Sequence, residues 1–161
     1  MQTSILRSAV LLAAAAGLAA CSSTATRDAN PRTVASAQLN AAVGVPQPNP
    51  QSPVRGSVVF SELRGIVSVS GTVTGLKPNA AHAFHVHEKG DCSAPDFSSA
   101  GGHFNPTKAP HGKHGTGFHH IGDMPQLISD ANGTVKIAFN SQSLNLRGPY
   151  SIIDKSVIIH R

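Results

Sequence analysis

Short runs of β-branched and aromatic residues, each bounded by glycine, proline or asparagine, follow one another from Gly56 to the end of the chain. The runs are Val58–Phe60, Ile66–Val73, Ala83–His87, Thr134–Phe139 and Ser156–His160. This length and composition predict β-strands separated by tight turns. No helical apolar period of useful length occurs after the N-terminal segment, so we expect an antiparallel β-sandwich or barrel.

One segment, Lys89–Asp130, lacks this pattern of short strand-like runs. It is rich in glycine, proline and histidine and almost without apolar periodicity. A loop of this length inside a compact domain is usually functional and needs something to order it. We therefore expect a metal ion there.

The nine histidines all lie between positions 82 and 160. His85 and His87 are two apart in a predicted strand, so both imidazoles face the same side and can meet one ion. His103 follows two glycines in the long loop, and the remaining candidates come after it at intervals of 8, 9 and 3, namely His111, His120 and Asp123. Imidazoles with one carboxylate suit a closed zinc site, whereas copper favours imidazoles alone.

Four motifs together resemble the metal-site signatures of the copper/zinc superoxide dismutases. They are Phe84–Cys92 (FHVHEKGDC), Gly101–Pro106 (GGHFNP), His111-Gly112 and His120–Asp123 (HIGD). The turn Gly75–Pro78 and the run that ends in His160 match the family in order and spacing. The resemblance, which extends from about Ala35 to the last residue, implies an all-β antiparallel Greek-key sandwich or barrel of the immunoglobulin-like type, with long metal-binding loops.

Carried over residue by residue, the resemblance implies two ligand sets that share one histidine. Copper would be held by His85, His87, His103 and His160, which are also the catalytic residues. Zinc would be held by His103, His111, His120 and Asp123, so that His103 bridges the two ions. His82 matches a structural histidine of the family.

Two further histidines, His114 and His119, leave an alternative open, because either one could take the place of a neighbour in the zinc set. The family spacing favours His111 and His120. We therefore interpret His114 and His119 as exposed loop histidines.

The activity that the resemblance implies is conversion of superoxide to dioxygen and hydrogen peroxide by copper redox cycling, which would protect the cell envelope. The alternative is a noncatalytic copper- and zinc-binding envelope protein. The net charge of +5 comes from scattered basic residues, which gives nucleic-acid binding little support. Family members occur as monomers and as dimers, so a homodimer stays open.

The N-terminal segment indicates export. Arg7 precedes an apolar run that is too short to span a bilayer, so residues 1–20 are predicted to be a signal peptide. Leu18-Ala19-Ala20-Cys21 resembles a bacterial lipobox, which predicts lipidation of Cys21 and a membrane-anchored lipoprotein at the periplasmic face. The alternative is ordinary signal cleavage with Cys21 incidental. Residues 21–33 would be the anchor and tether, and residues 34–161 the metal-binding domain.

The family continues beyond its last copper ligand, whereas this sequence ends at Arg161. The resemblance therefore leads us to expect a missing final strand, together with a missing cysteine that pairs with Cys92, a missing aspartate between the metal sites and a missing arginine that guides the anion. Loss of a native disulfide costs roughly 2–5 kcal/mol in small exported domains. We expect lower stability than in a longer relative.

Overall fold

The computed structural model describes residues 32–43, 46–48 and 52–160, and also the backbone of the two-residue strand Arg7–Ser8. Apart from that strand, the predicted signal peptide lies outside the described residues. Cys21, the tether as far as residue 31, and Arg161 lie outside them too. Among the described helices, none is long and apolar enough to cross a membrane.

The described part of the chain is built almost entirely of β-strands, which confirms the predicted all-β class. The strands are β1 (Arg7–Ser8), β2 (Thr33–Asn40), β3 (Arg55–Leu63), β4 (Ile66–Thr74), β5 (Ala81–His82), β6 (Phe84–His87), β7 (Leu127–Ile128), β8 (Val135–Ser141) and β9 (Ser156–Ile159). One turn of 3₁₀ helix spans Ser98–Ala100.

The larger sheet has the strand order β1-β2-β3-β4-β8, and every pair in it is antiparallel. β3 and β4 form a hairpin that turns at Arg64 and Gly65, both of which have positive φ, as a two-residue type I′ turn requires. β4 then pairs with β8, so the chain between them must leave this sheet and return. Every metal-ligand candidate except His160 lies in that excursion.

Side chains alternate between core and solvent along these strands, as the period of two requires. In β4 the valines 67, 69 and 73 are buried, while the intervening serines and threonines are mostly exposed. β2 was not among the predicted strands, because its inward positions include the small residues Ala35 and Ala37 beside Leu39.

The second layer is formed by two short antiparallel pairs, β6 with β9 and β5 with β7. All four residues of β6 and all four of β9 are buried. Phe84 and Val86 belong to the hydrophobic core that joins the two layers. His85 and His87 therefore point away from that core, toward the long loop that covers them.

Candidate metal centre

β6 presents His85 and His87 on one face, as their spacing predicts. The ring of His87 is oriented by a hydrogen bond from Nδ1 to the backbone carbonyl of Gly101, at 2.9 Å. Its other nitrogen, Nε2, lies 3.4 Å from Nε2 of His160, which directly follows β9. Because β6 and β9 are paired, two histidines that are 73 positions apart are brought to one point.

Two segments of the long loop lie against β6. The amide of Val86 donates to the carbonyl of Gly122 (2.9 Å), and the carbonyl of Val86 accepts from the amide of Phe104 (2.8 Å). The amide of Gly122 also donates to the carbonyl of Phe104, at 2.9 Å. These bonds place His103 opposite His87, and Asp123 opposite His85, as isolated bridge pairs.

The first cluster contains the four imidazoles of the predicted copper set, His85, His87, His103 and His160. The rings of His85 and His103 are stacked, with their centroids 3.8 Å apart. The ring centroids of His85 and His160 are 5.0 Å apart, with an interplanar angle of 64°. Four imidazoles without a carboxylate form the donor set that suits copper.

The second cluster surrounds the carboxylate of Asp123, which is buried. Its Oδ1 lies 3.2 Å from Nδ1 of His103, 3.1 Å from Nδ1 of His111 and 3.5 Å from Nδ1 of His120. Nδ1 of His120 is also 3.3 Å from Nδ1 of His103. Four ligands at about 2.0–2.1 Å around a tetrahedral zinc ion are about 3.3 Å from one another, and these four separations lie close to that value.

His85 also approaches this second cluster, and it groups with His103, His111 and Asp123. Its Nε2 is 3.9 Å from Oδ1 of Asp123, farther than Nδ1 of His120 at 3.5 Å. His120 therefore fits the tetrahedral spacing better than His85 does.

His82 lies outside both clusters and has a structural position. Its ring is buried, with Nδ1 3.0 Å from the carbonyl oxygen of His160 and Nε2 3.4 Å from that of Lys77. The ring thus fastens the end of β9 to the turn before β5.

His114 and His119 also lie outside both clusters, but they are half-buried rather than fully exposed. Nδ1 of His114 donates to the backbone carbonyl of Asp123, at 2.9 Å. Nδ1 of His119 donates to the backbone carbonyl of His120, at 2.6 Å. Each ring therefore contacts the backbone of a predicted zinc ligand.

Burial keeps the first cluster uncharged at neutral pH. Burial, reinforced by His103 and His160, lowers the pKa of His85 to about 3. Burial, with His87 and His103 nearby, lowers the pKa of His160 to about 4. Burial likewise lowers the pKa of His87 and that of His103. Since imidazole binds a metal only in its neutral form, these rings need lose no proton at neutral pH to act as ligands.

The carboxylate of Asp123 stays ionised despite its burial. Burial raises its pKa, but hydrogen bonds from the amides of Gly112 and His120 and the nearby rings of His111 and His120 outweigh that effect and lower the pKa below its ordinary value. The two amides lie 3.2 and 3.0 Å from Oδ2. An ionised carboxylate beside three imidazoles is a zinc donor set.

One buried nitrogen supports the fit of a metal ion to this site. Nδ1 of His85 has no hydrogen-bond partner among the described residues. An unsatisfied buried polar atom costs roughly 1–3 kcal/mol, and a metal ion would satisfy it. With the donor types and spacings above, the residues present suit both copper and zinc.

Comparison with known proteins agrees with this geometry. The family model described as copper/zinc superoxide dismutase (SODC) matches residues 54–161, which is most of the chain. The chain belongs to the copper/zinc superoxide dismutase family. The matched region includes every predicted metal ligand.

Three relatives of known identity illustrate the match. The chain is 39% identical to a Cu-Zn superoxide dismutase of Paramecium bursaria Chlorella virus 1, over 68% of this chain and 58% of that protein. It is 39% identical to an extracellular Cu-Zn superoxide dismutase of Onchocerca volvulus, over 66% of this chain and 53% of that protein. It is 37% identical to Cu-Zn superoxide dismutase 2 of Brassica juncea, over 73% of this chain and 76% of that protein. The chain thus spans little more than half of the first two relatives.

A solved structure supports the fold. The crystal structure of the clock protein EA4 is 38% identical and superposes with a TM-score of 0.64, covering 67% of this chain and 68% of that one.

Sequence reasoning missed the backbone groups that orient the ligands. The carbonyl of Gly101 sets the His87 ring, and the amide of Gly112 bonds to Asp123. Glycines next to ligand histidines were the available signal, since a residue without a side chain allows the backbone to approach a site closely.

Proposed function

We propose that the chain is a superoxide dismutase, and the observation that carries this proposal is the shared position of His103. Like His85, this ring belongs to both groups of candidate ligands, but its Nδ1 is 3.2 Å from Oδ1 of Asp123, whereas Nε2 of His85 is 3.9 Å away. Nδ1 of His103 faces the carboxylate of Asp123, which leaves Nε2 for the imidazole cluster. A single imidazole that serves two ions must use both nitrogens.

In this proposal His85, His87, His103 and His160 hold copper, and His103, His111, His120 and Asp123 hold zinc. Copper, when bound, supplies an ion that alternates between two oxidation states, so that one superoxide is oxidised to dioxygen and a second is reduced to hydrogen peroxide. The overall reaction consumes two protons. Nε2 of His103 is the nitrogen at which the chain can hold and return one of them.

The surrounding groups fix these ligands before an ion arrives. His87 donates from Nδ1 to Gly101, so its Nε2 carries the lone pair that faces His160. Asp123 is held by two backbone amides on Oδ2, which leaves Oδ1 toward the three imidazoles. Supporting hydrogen bonds of this kind typically contribute 10- to 100-fold in metal affinity.

The decisive experiment measures metal content and superoxide decay on the same purified chain. We expect about one copper and one zinc per chain, and decay faster than in a matched solution of free copper and zinc with chelator. Metal content that is normal with decay at the buffer rate would support the noncatalytic alternative instead. Absence of both metals would reject the ligand assignments.

We further propose that the protein is an envelope lipoprotein carried by Cys21. The support is the apolar run that ends in Leu18-Ala19-Ala20-Cys21. Each buried methylene of an acyl chain contributes about 0.8 kcal/mol to membrane binding. Labelled palmitate should be incorporated into the wild-type protein and not into Cys21→Ser, and equal labelling of both would contradict the proposal.

A further inference from the structure

His114 and His119 are left over once both ligand clusters are assigned. They lie in the loop between His111 and His120, and their ring centroids are 5.3 Å apart with an interplanar angle of 50°. We propose that these two rings form a third metal site, which binds a divalent transition ion such as zinc or copper(II) through two imidazole nitrogens, with water completing the coordination. The proposal stands independently of catalytic activity.

The hydrogen bonds of the two rings define which nitrogen is available. In each ring Nδ1 carries the proton that is donated to a backbone carbonyl, that of Asp123 for His114 and that of His120 for His119. A neutral imidazole protonated at Nδ1 has its lone pair at Nε2. Histidines that bind metals commonly donate their second nitrogen to a carbonyl or carboxylate, which fixes both tautomer and ring orientation. Both rings are therefore already prepared as Nε2 ligands.

The separation of the rings matches that of pairs in the zinc cluster. Within that cluster the centroids of His103 and His111 are 5.2 Å apart, those of His111 and His120 5.2 Å, and those of His103 and His120 5.4 Å. Two imidazoles bound tetrahedrally to one zinc ion have centroids about 5 Å apart. The 5.3 Å between His114 and His119 falls inside the observed range.

The surroundings make the site both firm and accessible. The ring of Phe139 packs edge-on against His114 with a centroid separation of 5.7 Å, which limits rotation of that imidazole. His114 also lines an open pocket of about 690 Å³, together with His111 and Asp123. Solvent can therefore reach the ring of His114 from this pocket, while His119 lines a second open pocket of about 490 Å³.

The test uses the full chain loaded with copper and zinc, with excess ion removed and the metal content measured first. Zinc ion is then titrated into this protein and followed by calorimetry. We expect one further binding event in the wild type. In the double variant His114→Asn/His119→Asn, the association constant of this event should fall at least about tenfold, which is about 1.4 kcal/mol or more.

Asparagine is chosen because its side-chain amide can still donate to the backbone carbonyls but lacks the nitrogen that would bind the ion. Lys113→Gln is the matched control, since it alters the same loop and leaves both rings. It should retain the further event at wild-type affinity. NMR signals of both rings should shift when zinc is added to the wild type.

Three results would overturn the proposal. They are no further event in the wild type, an unchanged event in the double variant, or loss of the resident zinc from the double variant at the initial metal analysis. The last result would place the two rings in the principal zinc set instead. Failure of the superoxide assay leaves this test unaffected, because its readout is ion binding.

Discussion

At the scale of single residues, His103 has the position with the greatest consequence. Its ring stacks on His85 on one side and reaches Asp123 and His120 on the other. His85 also approaches both clusters, but its Nε2 is 3.9 Å from Oδ1 of Asp123, whereas Nδ1 of His103 is 3.2 Å from that atom. Substitution of His103 should therefore have a different effect from substitution of a ligand that serves one cluster.

We expect His103→Ala to weaken binding of both copper and zinc, each at least about tenfold. His160→Ala should chiefly weaken copper, because His160 contacts the imidazole cluster and takes no part in the cluster around Asp123. Metal content after equimolar loading and dialysis measures the difference. Normal copper in both variants would contradict the bridging assignment.

At the scale of elements, the site depends on how closely the long loop approaches β6. Gly122 illustrates this, because a Cβ atom placed there would lie 2.3 Å from the carbonyl oxygen of Val86 and 3.1 Å from the amide of Phe104. The contact is with backbone on both sides, so no side-chain rotation can relieve it. The turn that carries His120 and Asp123 can therefore sit in place only with glycine at position 122.

We expect Gly122→Ala to lower the free energy of unfolding by about 1–3 kcal/mol, the usual cost of overpacking, and to weaken zinc binding as the turn shifts. The matched control is Gly117→Ala, since nothing lies within 4 Å of a Cβ atom at that position. Urea unfolding and a zinc competition assay measure the two effects. If Gly122→Ala and Gly117→Ala were equally stable in urea, the close backbone contact at position 122 would not be needed to hold the turn in place.

The strands that could be predicted from sequence are those with a clear β-branched pattern. β3, β4, β6, β8 and β9 all overlap runs recognised in advance. β2 was not predicted because alanines occupy two of its inward positions. β5 and β7 were not predicted because each has only two residues. Hydrophobic periodicity carries little information about strands of that length or composition.

Sequence spacing predicts only part of the geometry of the candidate site. The spacing of His85 and His87 fixes a shared face, whereas the meeting of His103, His111 and Asp123 depends on the path of a loop that has no periodic signal. Family resemblance supplied that part. The backbone contacts of His114 and His119 were not predicted, because a hydrogen bond to a carbonyl has no sequence signature.

At the scale of the whole molecule, the buried histidines link folding to pH. The pKa of His85 is lowered to about 3 and that of His160 to about 4, from an ordinary value of 6.5. Above the ordinary value neither the folded nor the unfolded chain binds protons at these rings, and their contribution to stability is fully present. Below pH 6.5 these rings bind protons in the unfolded chain but stay neutral in the folded chain. Their contribution to the free energy of unfolding is therefore lost as the pH falls toward the folded pKa values.

We therefore expect the metal-free protein to lose stability steadily between about pH 6.5 and pH 4.5, at up to roughly 1.4 kcal/mol per pH unit for each such histidine. Urea midpoints measured across this interval test the prediction. Asp123, Asp91 and Asp96 also have lowered pKa values, but from an ordinary value of 3.8, so their effect falls mainly at lower pH and leaves the interval to the histidines. In the variant His85→Gln/His160→Gln the urea midpoint should fall less steeply with pH than in the wild type, because two of the histidines with lowered pKa values are absent. An equally steep decline in that variant would mean that the pH dependence arises elsewhere in the molecule.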